Sequence, residues 1–168
     1  MAGQTTYGFT PPRGLAGTLL DIANLKDIDS RVNAETEVDV MLFGMGAVQG
    51  PNPGVDVLVP TDASTPDEFE GIVMTGHTQQ MTMTGEVNIY PAQTVGILRW
   101  GRAWARVEDG ITPIYGEPLF LIIDGPDAGL FTNDDGGGDN MAINGRFYGG
   151  LGNGNIAPIE LYTPIAQQ

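Results

Sequence analysis

The stretch VGILRWGRAWARVEDG, residues 95–110, decides the fold. It divides into two apolar runs, Val95 to Trp100 and Ala103 to Glu108, on either side of Gly101-Arg102. In the second run Ala103, Ala105 and Val107 fall on one side and Trp104, Arg106 and Glu108 on the other. That two-residue period is the signature of a half-buried β-strand. The stretch also holds Arg99, Arg102 and Arg106, three of only 7 cations, and Trp100 and Trp104, the only 2 tryptophans.

The same texture continues in both directions. With 25 Gly and 12 Pro in 168 residues, chain-breaking residues are nearly twice their usual share. Between them lie short β-branched or apolar runs at the spacing expected of a sandwich or barrel. Besides the two above, the expected strands are Glu37 to Phe43, Ala47 to Gln49, Asp56 to Val59, Gly71 to Thr75, Glu86 to Tyr90, Pro118 to Ile123, Ala142 to Tyr148 and Ile156 to Tyr162. Val38, Val40 and Leu42 are expected to share a face, and the continuously apolar Leu119 to Ile123 to be a central strand. The fold class is therefore all-β, a compact jelly-roll-like sandwich or barrel.

One helix is expected, Thr18 to Asp29, where Leu19, Ile22, Leu25 and Ile28 recur at helical spacing. A short helical turn is expected after Thr65, with its hydroxyl as cap, Pro66 in first position and Asp67 and Glu68 at the positive end of the dipole. Asn144-Gly145 reads as a two-residue hairpin connection, and TNDDGGGDN, residues 132–140, as a flexible link. Residues 1–14 are polar and Pro-containing with isolated Tyr7 and Phe9, an extended arm. Residues 15–168 form a single β domain, with no internal repeat.

Composition excludes several functions. Without cysteine there is no disulfide framework, Cys-ligated metal or thiol nucleophile. MAGQTTYGFTPPRG has no basic region leading into an apolar core, and no apolar run approaches a membrane span, so the chain is expected to be soluble as synthesised, with no membrane partner. The net charge of −14 is spread along the chain: residues 1–84 carry 3 basic and 11 acidic side chains, residues 85–168 carry 4 and 10. Such a field is repelled by phosphate backbones, so no nucleic-acid partner is expected.

Catalytic provision is thin. His77 is the single histidine, which rules out a histidine-rich metal site within one chain. Ser30 and Ser64 are the only serines, and neither stands in a G-x-S-x-G elbow. Asp134, Asp135, Asp139 and Asn140 offer oxygen ligands for calcium but lack the ligand order of an EF-hand, and read as a solvated loop. Gly44-Met45-Gly46 and Gly152-Asn153-Gly154 read as turns, because neither completes a phosphate-binding pattern. A paired-carboxylate site is left open by 21 acidic residues. No cofactor is expected.

The cluster from Arg99 to Arg106 admits a nucleic-acid reading, with Arg on phosphate and Trp stacked on bases. The net charge favours the other, a pair of strand edges whose rings pack and whose guanidiniums meet the acidic surface. Trp and Arg are also enriched at interface hot spots, so a subunit contact is a form of that reading.

Taken in order, NAETEVDVMLFGMGAVQG (33–50), VDVLVPTDASTPDEFEGIVM (55–74), VGILRWGRAWARVEDG (95–110), GEPLFLIIDG (116–125) and INGRFYGGLGNGNIAPIELY (143–162) resemble the structural cement, or capsid decoration, proteins of tailed bacteriophages. The resemblance implies a β domain that assembles as a dimer or trimer on the capsid exterior, in the host cytoplasm, and clamps neighbouring major capsid subunits. It carries over no catalytic residues. The expected contacts with capsid or sister subunits are Tyr7, Phe9, Pro11 and Pro12 on the arm, then Arg99, Trp100, Arg102, Trp104 and Arg106. The alternative is a carbohydrate- or receptor-binding β module of a phage tail or surface appendage, motivated by the paired tryptophans. An enzyme using paired carboxylates comes third.

Overall fold

The computed structural model describes residues 14–21, 27–38, 40–76, 87–152 and 154–162. Among these, nine strands form: β1 (Asp27–Asn33), β2 (Gly46–Gln49), β3 (Asp56–Leu58), β4 (Phe69–Met74), β5 (Thr94–Arg106), β6 (Pro118–Leu121), β7 (Phe131–Thr132), β8 (Met141–Phe147) and β9 (Ile156–Leu161). The order is β1-β3-β2-β4-β5-β9-β8-β6-β7, and a further pairing of β1 with β5 closes the first five strands into a barrel. Only the β1–β3 ladder is parallel. The all-β expectation holds, in its barrel form.

β5 organises the molecule. The two runs expected as separate strands are one strand of 13 residues, long enough at about 3.4 Å per residue to serve two sheets. Val95, Ile97 and Leu98 lie in the half that pairs with β1 and β4. From Gly101 to Arg106 the strand pairs with β9. Gly101 stands at the junction with φ 127°, which a residue with a Cβ rarely adopts, so the strand changes sheets without breaking. The second sheet curls as well: Val107 bridges Phe131 of β7, and the Glu108 amide donates to the Phe131 carbonyl at 2.9 Å.

β5 and the residue that follows it feed two cores. Val95 and Ile97 join Met41, Ala47, Val57, Val73 and Ile89 in one cluster. Leu98 and the small Ala103, Ala105 and Val107 join Ile72, Leu119, Phe131, Phe147 and Ile159 in the other. Phe69 meets Phe131 edge to face, with centroids 6.4 Å apart, fastening the barrel to the second sheet.

Several expectations are corrected. No helix forms in the described parts of Thr18–Asp29. Instead the Trp104 amide donates to Thr18 O and the Leu20 amide to Arg102 O, Leu19 bridges Ala103, and Asp27 opens β1. Residues 22–26 lie outside the described part. Pairing to an otherwise open side of β5 thus overrides a blurred helical stripe. Glu37–Phe43 is a run of bends and turns, with Val38 and Val40 exposed and Met41 buried. It has no edge to join, because β2 is already flanked by β3 and β4. Asp39 lies outside the described residues. Val87–Tyr90 is not a strand either, although Ile89 is buried; Glu86 is outside the described part.

Asn144-Gly145 is not a hairpin. β8 runs straight through it and bulges against β6, where Pro118 faces Arg146 but Leu119 faces Ile143. The glycine answers a close approach, since a Cβ on Gly145 would lie 2.5 Å from Glu160 O. Thr132, expected in a flexible link, is a fully buried β7 residue. β6 is flanked by β8 and β7, but its burial alternates, as in a strand with one covered face. The turn at Pro66–Glu68 forms as expected. Thr65 caps it in a capping box with Glu68, whose carboxylate accepts from the Thr65 hydroxyl and amide at 3.1 and 2.8 Å.

Candidate functional site: an arginine and aromatic face

The outer surface of β5, β9 and β8 is built by register. Arg102 stands opposite Glu160, and Glu160 opposite Arg146, so three charged side chains line up across three strands. One step along, Trp104 faces Pro158, and the Tyr148 amide donates to the Pro158 carbonyl at 2.8 Å. One step the other way, the Tyr162 amide donates to Asn144 O at 2.9 Å. Strand alternation thus places Arg102 and Trp104 on the side that carries Glu160 and Arg146.

Glu160 is the hub. One carboxylate oxygen accepts from Arg102 Nε at 2.7 Å and the other from Arg146, at 2.8 Å from Nε and 2.7 Å from Nη2. Its side chain is 14% exposed. Burial alone would raise its pKa, but the hydrogen bonds and charges of the two guanidiniums outweigh that and hold the carboxyl below its ordinary range. Both guanidiniums are raised in turn, chiefly by the Glu160 hydrogen bond. A carboxyl so held is an ion at neutral pH and no proton donor. Arg102 also pairs with Asp21 at 3.1 Å.

Aromatic rings frame the ions. The Arg102 guanidinium lies 4.3 Å from the Tyr148 centroid, and that of Arg146 lies 4.8 Å from Tyr115 and 5.9 Å from both Tyr148 and Tyr162. Tyr115 and Tyr148 meet edge to face at 5.4 Å. Stacked and doubly bonded, the two arginines are preorganised, and such Tyr and Arg surfaces suit protein contact.

The residues expected from sequence divide. Arg102, Trp104 and Arg106 share the outer side of β5, whereas Trp100 stands before the Gly101 junction opposite Asp27 of β1, and the segment is one interior strand and not a pair of edges. Arg99 points the other way. It pairs with Asp29 at 3.6 Å and, with Phe69, Glu70 and Tyr162, lines a cleft of about 180 Å³. Arg106 Nε donates to Phe43 O at 2.9 Å and lines a separate groove of about 570 Å³ with Val40, Leu42 and Val59. Tyr7, Phe9, Pro11 and Pro12 lie outside the described residues, as does His77. Where the described chain begins, Gly14 sits against Trp104: a Cβ there would lie 2.4 Å from the indole.

Glu160, Arg146, Tyr115, Tyr148 and Tyr162 were missed by sequence reasoning. Glu160 lies between buried Ile159 and Leu161, a detectable signal, but only register brings it and Arg146 to Arg102.

Among the described residues no group of three or more His, Asp or Glu is placed to hold a metal. In the acidic loop, Asp134 and Asp135 accept from the amides of Gly136 and Gly137 at 3.1 and 3.0 Å, an internal use of those oxygens. Among the described residues no helix is long and apolar enough to cross a membrane.

No curated protein matches the chain. A solved structure described as the capsid of Myoviridae phage XM1 contains a chain of like fold, with a TM-score of 0.70 over 98% of this chain and 100% of that one, at 17% identity. The family model described as structural cement protein (E217 gp24/Pam3 gp6) matches residues 3–162. With nearly its whole length matched, the chain belongs to the structural cement protein family.

Proposed function

We propose that this chain is a noncatalytic cement protein of a bacteriophage head. It binds the outside of the capsid as a dimer or trimer and clamps neighbouring major capsid subunits, after assembly in the host cytoplasm. The family match over residues 3–162 carries the reading. Physical features agree with it. A closed barrel and a curled second sheet offer a rigid body, and a net charge of −14 keeps DNA off its surface. Contacts made only by the assembled shell stabilise that shell by mass action.

The grip is assigned first to the N-terminal arm, with Tyr7, Phe9, Pro11 and Pro12 as anchors, and second to the β5 side chains Arg99, Trp100, Arg102, Trp104 and Arg106. Gly14, the first described residue, lies against Trp104, which supports treating the two assignments together. The purified chain should cosediment with heads of its own phage at a fixed ratio. Deleting residues 2–12 should weaken cosedimentation at least about tenfold while leaving the β circular-dichroism signal intact. Unchanged binding would remove the arm from the grip. Glycan binding through Trp100 without affinity for heads would replace the whole reading with a carbohydrate-binding module.

A further inference from the structure

The geometry points to the face around Tyr115 and Arg146 as the surface on which a second copy of this chain docks. This rests on the cement reading above, and names which surface serves its self-association.

Three observations carry it. The face exposes large apolar side chains: Ile114 and Tyr115 are 64% and 60% exposed, and the exposed Tyr162 shares the Arg146 guanidinium with Tyr115. A soluble chain that leaves such side chains together has a partner for them. The face is also close to charge balance, since Arg102 and Arg146 stand against Glu160, Asp21 and Glu117, whose carboxylate accepts from the Ile114 amide at 2.9 Å, whereas the chain as a whole carries −14. Two copies repel across most approaches, and repel less here, where two of the chain's 7 cations stand together. A basic partner would find its complement on the acidic remainder instead.

Finally, strand pairing offers little alternative. The barrel is closed, and β7 is bridged to Val107. Side chains must therefore make the contact. Through Tyr162 the face continues into the cleft of about 180 Å³ lined by Phe69 and Arg99, large enough for one aromatic ring of the second copy.

Sedimentation equilibrium of the full chain tests this, with cosedimentation on heads read separately. Wild type should self-associate, and more tightly at high salt, where repulsion between like-charged copies is screened. The double variant I114S/Y115E should weaken self-association at least about tenfold with unchanged circular dichroism. Ala142→Trp, which fills the cleft from an exposed position, should weaken it as well. A monomeric wild type would overturn the inference, as would an unchanged oligomer in the double variant. Loss of head binding with the oligomer intact would also overturn it, assigning the face to the capsid while leaving the cement reading standing.

Discussion

Two arginine clusters flank β5, and they are built on opposite principles. At the barrel, Arg31 of β1 is 12% exposed and reaches Asp29 at 3.0 Å and Glu70 at 3.4 Å. Glu70, only 6% exposed, is the extra residue of a bulge in which Ala47 faces Gly71 but Val48 faces Phe69. Arg31 Nε is buried without a hydrogen-bond partner. On the second sheet, Glu160 has both oxygens engaged at 2.7 Å, and its arginines stay about one-third open to water. The barrel cluster is deep and incompletely satisfied, while the sheet cluster is shallow and saturated. Depth makes the first a structural dependency. Saturation and access make the second a surface able to meet a partner.

Glu70→Ala should be the most damaging of the charge changes. It leaves a buried guanidinium with a single remaining acidic partner, and a loss of about 3 kcal/mol is expected, read by urea unfolding. If Glu70→Ala unfolds at the wild-type midpoint, the two clusters do not differ in the way described.

Glu160→Gln should cost roughly 1 kcal/mol, because Arg102 and Arg146 can hydrate once released. Its sharper signature is in pH. The Glu160 pKa is lower in the folded chain than in the unfolded one. Its contribution is thus fully present above the ordinary carboxylate value and is lost as pH falls through the folded one. Wild type should lose stability over that acidic window relative to Glu160→Gln, so the two unfolding curves converge at low pH. Parallel curves would refute the hub role.

Asp21→Asn should do least. This ion pair with Arg102 is more than a third exposed on the acid side, and salt screens such pairs. No measurable shift in Tm is expected, and a large one would show that the segment before β1 is held by charge and not by its backbone pairing to β5.

Legibility followed the range of the determining interaction. The alternation Ala103, Ala105, Val107 was readable because a strand's period is local, and the inward side of each is buried as expected. Val38, Val40 and Leu42 show the same alternation, yet no strand forms, because pairing also requires a free edge. Asn144-Gly145 has the composition of a turn, but the conformation it adopts was set by the approach of β9. The site was half visible: Arg102 and Trp104 stood out by type, while Glu160 was one of 21 acids.

By itself the sequence determined an acidic, cysteine-free, all-β chain whose Gly and Pro punctuate short strands, and it carried the family resemblance. These properties depend on composition and on periods of a few residues. Only the tertiary structure decided that one strand of 13 residues serves two sheets, that the barrel closes, and that Arg102, Glu160 and Arg146 stand in one row. Register is the physical reason: it is fixed by packing and pairing between segments far apart in the chain, and a slip of one residue would turn Glu160 from the outer face to the core.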